Sequence, residues 1–194
     1  KQCLISGNTG DGGGGGIQAF GEGSFPVLED CIISGNTATG NGGGILFDGA
    51  DGAKLTRVAV VDNHANGMIG GIDVTATTAV MTNVTFSGNT QGAVGIFGGA
   101  QVELTNSIVW NNPGPGNFAT DGTGSINITY SDIEGGIEGV GNIDEDPLFT
   151  SVNPQGGIYT LLENSPCIDA GTADTDSNGV DDITDYYGIA PDMG

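Results

Sequence analysis

The phrase Cys3-Leu4-Ile5-Ser6-Gly7-Asn8-Thr9 returns as Cys31-Ile32-Ile33-Ser34-Gly35-Asn36-Thr37. Looser copies run from Val58 to His64, from Val84 to Thr90 and from Ser107 to Asn112. The copies begin at residues 3, 31, 58, 84 and 107, so the steps are 28, 27, 26 and 23 residues. A near-constant period constrains the fold more than any other feature, because each repeat is one supersecondary unit that buries its apolar face only by stacking on its neighbours. Two more landmarks recur inside each step. The isoleucines of Gly15-Gly16-Ile17, Gly43-Gly44-Ile45 and Gly70-Gly71-Ile72 each stand 14 residues after the start of their copy, and Gly95-Ile96 is read as the fourth. Val27-Leu28, Lys54-Leu55, Val80-Met81, Glu103-Leu104 and Asn127-Ile128 close the step.

Each landmark is too short for a helix of ordinary length and is bounded by Gly, Asn, Asp and Thr, which are turn residues. In the first landmark the apolar residues alternate (Cys3 and Ile5, Cys31 and Ile33, Val58 and Val60, Val84 and Phe86), so one side of a strand faces a core. Stacking such coils predicts a right-handed parallel β-helix, all-β, with three short strands per coil over residues 1–135. Residues 136–194 are expected to form an irregular segment packed on the last coil. Asn8, Asn36, Asn63, Asn89 and Asn112 fall at the same turn of successive copies and are expected to form an asparagine ladder.

Composition supports a folded but unusual surface. Gly contributes 38 of 194 residues, yet 37% of the chain is hydrophobic, too much for a disordered Gly-rich linker. Lys and Arg total 3 against 24 Asp and Glu, a formal charge of −21. Such a surface repels nucleic acid and anionic lipid, and makes divalent cations natural partners. No apolar run approaches a membrane span, so direct membrane insertion is not expected. The N-terminal residues lack the charged-then-apolar pattern of a signal peptide, so any export signal is expected to lie upstream or to have been removed.

The repeats resemble the FxxN and GGA[ILV] motifs of polymorphic outer-membrane (autotransporter) proteins and, more broadly, bacterial right-handed β-helix repeat proteins. Phe86-Ser87-Gly88-Asn89 matches the first motif, and Gly-Gly-Ile takes the place of the second. Gly141 to Phe149, Ser165 to Gly171 and Pro191 to Gly194 resemble the closing segment of large bacterial surface β-helix proteins with C-terminal anchors. The resemblance implies a secreted or cell-surface location and a bacterial source. The chain starts in mid-coil and stops within the last motif, which suggests a fragment, or subunits whose open ends are covered end to end by copies of themselves.

The sharpest chemical motif is Asp174-Thr175-Asp176-Ser177-Asn178-Gly179-Val180-Asp181-Asp182-Ile183-Thr184-Asp185. It fits an EF-hand-type Ca²⁺ loop, with oxygen ligands at alternate positions, Gly at the sharp turn and a carboxylate at the twelfth place. Asp174, Asp176, Asn178, Val180 (through its carbonyl), Asp182 and Asp185 are the expected ligands, and rigidifying an acidic segment is the expected role.

Catalytic readings are thinner. A polysaccharide lyase needs a basic residue, and Lys54, Arg57, Asp62 and His64 lie within one coil. A glycoside hydrolase needs two carboxylates at a fixed separation; Asp144, Glu145 and Asp146, or Asp132 with Glu134, are candidates in a chain where chance pairs abound. Trp110, Tyr130, Tyr159, Tyr186 and Tyr187 form no regular row for stacking sugars, and Thr75, Thr77 and Thr78 do not repeat in register as an ice-binding face would require. No catalytic residue is therefore assigned. The expected function is an extracellular structural or adhesive scaffold stabilised by calcium, self-associating or meeting a surface glycan. A β-helix lyase or hydrolase and a non-catalytic carbohydrate-binding module are the alternatives. Cys3 and Cys31 occupy one inward position in consecutive coils, as stacked thiols or as a bridge; Cys167 is expected to be structural, and Asn83 and Asn127 head glycosylation sequons.

Overall fold

A computed structural model describes residues 3–150 and 159–194. In chain order the strands are β1 (Cys3–Ser6), β2 (Thr9–Gly10), β3 (Ile17–Phe20), β4 (Val27–Ser34), β5 (Thr37–Ala38), β6 (Ile45–Asp48), β7 (Ala53–Val61) and β8 (His64–Ala65). They continue as β9 (Ile72–Thr75), β10 (Thr78–Ser87), β11 (Val94–Phe97), β12 (Gln101–Thr105), β13 (Ile108–Trp110), β14 (Phe118–Thr120), β15 (Ser125–Thr129) and β16 (Asp132–Ile133). These strands pair in parallel into three sheets that run along the stack. The architecture is the right-handed parallel β-helix that the repeats predict.

The columns stack rung on rung. Ile5, Ile33, Val60, Phe86, Val109 and Ile133 are successive partners on one side of the core. Leu28, Leu55, Met81, Leu104 and Ile128 are partners on another. The third column is Ile17, Ile45, Ile72, Val94 and Phe118. This corrects the fourth Gly-Gly-Ile copy, which is Gly92-Ala93-Val94 and not Gly95-Ile96. The loop before it is four residues shorter than in the earlier coils, and Gly95 pairs with Asp73 instead. A sixth rung, Ser131-Asp132-Ile133, was hidden in the sequence because polar residues replace the apolar ones there.

The closing landmark of one coil and the opening landmark of the next share a sheet, joined through one residue in the left-handed region. Asp30 (φ 52°), Arg57 (54°), Asn83 (53°), Asn106 (51°) and Tyr130 (47°) occupy that corner in successive coils. Asn and Asp tolerate this conformation better than most residues, which suits them to the corner. Two-residue strands β2, β5 and β8, following the asparagine turns, form the smallest sheet; none of the three recurring landmarks marks them.

The asparagine ladder spans five coils. Asn8, Asn36, Asn63 and Asn89 each donate from Nδ2 to Oδ1 of the next asparagine at 3.0 Å. Each backbone N–H reaches the same oxygen at 3.0 or 3.1 Å. The second Nδ2 hydrogen of Asn36, Asn63, Asn89 and Asn112 goes back to a strand carbonyl of the preceding coil, on Ile5, Ile33, Val60 and Phe86. An inward asparagine therefore satisfies groups in the coils on either side, as buried polar atoms require. The glycine pairs complete the fit. A Cβ on Gly16 or Gly44 would meet the side chain of Asn36 or Asn63, and one on Gly43 or Gly70 would strike backbone of the adjoining coil.

Residues 136–194 begin by extending the stack, with Ile143 bridging Asp132 in parallel. The later part lies along the outer face of the opening strands, where Ile108, Cys167 and Met193 are buried together against Trp110, Tyr130 and Phe149. Two corner residues tie it down. Asn83 Nδ2 donates to the Asp192 carbonyl at 2.8 Å. Asn106 donates to Thr172 O and accepts from Thr172 N, both at 2.8 Å, while its carbonyl accepts Gly194 N–H.

Asn63 is fully buried and sits mid-ladder, whereas Asn8 is exposed at its end. Asn63→Ala should cost roughly 3 kcal/mol or more, since it strands buried donors and acceptors on both sides. Asn8→Ala should cost about 1 kcal/mol or less. Urea unfolding of the two variants compares these costs directly.

Candidate functional site

The acidic loop of the C-terminal segment folds around its own carboxylates. Asp174 accepts the backbone N–H groups of Asn178 (3.0 Å) and Gly179 (2.8 Å), and Asn178 Oδ1 accepts Val180 N–H at 2.9 Å. Ser177 and Gly179 adopt positive φ, 59° and 88°, which turns the chain back on itself. Asp182 accepts both the amide (2.9 Å) and the hydroxyl (2.7 Å) of Thr175, and these bonds hold its carboxyl below the usual carboxylate range. The amides of Asp182 and Ile183 both donate to the Ala173 carbonyl, closing the loop at its base.

Three carboxylates converge as a result. Asp174, Asp176 and Asp182 each present an oxygen within 4.8 Å of the others. Such a cluster is self-repelling unless a cation or protons intervene, and an all-oxygen donor set suits a hard divalent ion. Asn178 lies in the same turn, its Nδ2 donating to Asp176. The Val180 side chain points to solvent at 67% exposure. Asp185 stands apart from the converging three. It lines a groove of about 260 Å³ with Lys54, Arg57, Asn83, Tyr186 and Asp192, between the segment and the solenoid corner. Asp182 belongs to both the cluster and that groove.

Of the residues weighed for catalysis, Arg57 and His64 are bonded to different neighbours. Arg57 binds Asp30 (2.6 Å) and Glu29 (2.8 Å) of the preceding coil, which holds Asp30 below its ordinary range and Arg57 above its own. His64 faces forward along the stack, with Nδ1 at 2.9 Å from Thr90 Oγ1 and Nε2 at 3.2 Å from Asn66 Oδ1. Burial pushes the Asp62 carboxyl up.

The carboxylate pairs are similarly occupied. Glu134 caps the Asn111 amide at 2.7 Å, Asp144 accepts Gly135 N–H, and Asp146 accepts Leu148 N–H. Asp132 is fully buried under the C-terminal segment, accepting Cys167 S–H (3.1 Å) and the Glu145 amide (3.2 Å). Of the sequons, Asn83 has its amide engaged with the C-terminal segment and Asn127 is exposed on β15.

The burial of Asp132 leaves no trace in the sequence, because the covering segment comes from more than thirty residues downstream. Burial pushes its carboxyl above the usual range, with Asp144 and Glu145 adding repulsion. A group whose pKa is raised on folding is tolerated while protonated and destabilises as pH climbs from the unfolded pKa through the folded one. Asp132→Asn should therefore unfold at a higher temperature than the parent at about pH 7, with the gap closing near about pH 3.5. Calorimetry across that range reads the effect.

A family model described as "Right handed beta helix region" matches residues 1–133 and, in a second overlapping frame, residues 33–166. No curated protein and no solved structure matches the chain.

Proposed function

The chain belongs to the right-handed β-helix family, and from that premise we propose that it is a structural scaffold of a bacterial surface or secreted protein, stiffened by coil stacking and pinned at its C-terminal segment by calcium. The observation that carries the scaffold reading is the unbroken register of three apolar columns and one asparagine ladder along the stack. Such a rod resists bending because every coil is hydrogen-bonded to the next along its strands. Its outer faces are left to meet partners such as a surface glycan. End-to-end association of copies through the backbone edges that stacked coils offer belongs to the same reading.

Calcium enters through Asp174, Asp176 and Asp182, with Asn178 and the Val180 carbonyl as further oxygen donors within the loop, while Asp185 faces the neighbouring groove. Calcium takes about six to eight oxygens, so the three carboxylates supply part of a shell that backbone, amide and water oxygens complete. The bound ion would offset repulsion among the carboxylates and hold the segment against Asn83 and Asn106.

Adding calcium at about 100 times its dissociation constant should stabilise the folded protein by about 2.7 kcal/mol. Asp176→Ala should abolish most of that gain while leaving stability in chelator nearly unchanged. Calorimetry that finds the same transition with and without calcium would remove the ion from the proposal.

The scaffold reading is tested separately by incubation with pectate, alginate and neutral glycans, with and without calcium. No turnover is expected. Product formation lost on changing Lys54, Arg57 or His64 would replace the scaffold with an enzyme.

A further inference from the structure

Cys3 on β1 and Cys31 on β4 are direct parallel partners. Both occupy the inward column that Val58 and Val84 continue. Both are free thiols, Cys3 exposed and Cys31 buried, with Cys31 Sγ donating to the Glu29 carbonyl at 3.1 Å. β1 is the edge of its sheet among the described residues. Burial above all, with the adjacent Cys3 thiol adding to it, keeps Cys31 protonated above the ordinary thiol range. The third thiol, Cys167, is fully buried against Asp132 under the C-terminal segment.

We propose that Cys3 and Cys31 form a reversible disulfide clasp that locks the first coil onto the second. Adjacent parallel strands lie about 4.8 Å apart, inside the Cα window of roughly 4.4–6.8 Å that a disulfide spans. The Cβ atoms must close to about 3.8 Å, less than the rung spacing. Closing that gap pulls β1 and β4 together at this one rung. The bond is accordingly strained and readily reduced, which makes it a switch and not a permanent staple.

The chemistry is thiol–disulfide exchange with a small-molecule disulfide such as oxidised glutathione as the oxidant. The exposed Cys3, as thiolate, attacks one glutathione sulfur; the glutathione S–S bond breaks and one glutathione thiolate leaves. Cys31 then loses its proton and attacks Cys3 Sγ, forming the Cys3–Cys31 bond and expelling the second glutathione. Two electrons pass from the cysteine pair to the oxidant, and the two protons end on the released thiols.

The bond encloses the whole first coil, whose strands β1, β2 and β3 are the least buried of the stack. Cross-linking removes conformations in which that coil peels away.

The test equilibrates the folded full chain with mixtures of oxidised and reduced glutathione. Mass analysis without reductant, peptide mapping and hydrogen exchange are the readouts. The expected product has lost two hydrogens, carries a Cys3–Cys31 cross-linked peptide with Cys167 still free, and exchanges amides in residues 3–20 at least about tenfold more slowly. Reduced glutathione should reverse each change. Cys31→Val, which keeps the column apolar like Val58, should instead stop at glutathione bound to Cys3. A parent protein that also stops there, or that links Cys3 to Cys3 between chains, overturns the clasp. So does a cross-link that leaves exchange in the first coil unchanged.

Discussion

Five successive coils of this protein turn a corner at which backbone groups leave their strands on the inner side, and the asparagine at that corner satisfies them. One Oδ1 accepts two N–H groups from the previous coil while Nδ2 reaches both forward and back. The rest of the stack depends on this arrangement. Slipping one coil by a residue would bury unpaired donors and turn the apolar columns outward, since side chains alternate along each strand. Register is thus fixed twice, by polar satisfaction at the turn and by apolar burial along the strands.

The ladder also explains how the stack ends. In the later coils, the place held by Cys3, Cys31, Val58 and Val84 passes to Ser107 and Ser131, whose hydroxyls accept the amides of Val84 and Ser107 at 3.1 and 3.0 Å. Asn142 continues that polar file by accepting Ser131 N–H, and Asn117 takes up Asn112 and donates to the Glu134 carbonyl. The repeat gives way to side chains that cap backbone, and the chain leaves the helical path to cover the flank. There Asn83 and Asn106, placed at the solenoid corner by their left-handed backbone, become anchors for a segment distant in sequence.

Charge shapes what the surface does. With 3 basic residues against 24 acidic ones, the chain cannot neutralise its carboxylates by ion pairing, and both described ion pairs use the same guanidinium, that of Arg57. Carboxylates instead accept backbone amides at turns: Asp121, bonded to Thr123 and to Gly98 N–H, is held down to about 2. The loop at residues 174–182 carries this habit furthest, gathering three acids whose oxygens lie within 4.8 Å of one another.

The sequence by itself determined the coil length, the first and closing landmarks in correct register and the inward asparagines, because each is a local pattern repeated often enough to stand above chance. It also marked the acidic loop through two-residue spacing. Tertiary structure alone decided the rest. Replacing the second glycine by Ala93 and shortening a loop disguised one column position, and only stacking located Val94. Distance along the chain concealed the burial of Asp132 and the docking of the C-terminal segment on Asn83 and Asn106. Which acids converge was likewise settled by the fold of the turn, which brings Asp182 beside Asp174 and Asp176 and sends Asp185 to the groove. Periodicity is written in the chain because each coil solves the same packing problem; contacts between unlike segments are written nowhere locally and exist only once both have folded.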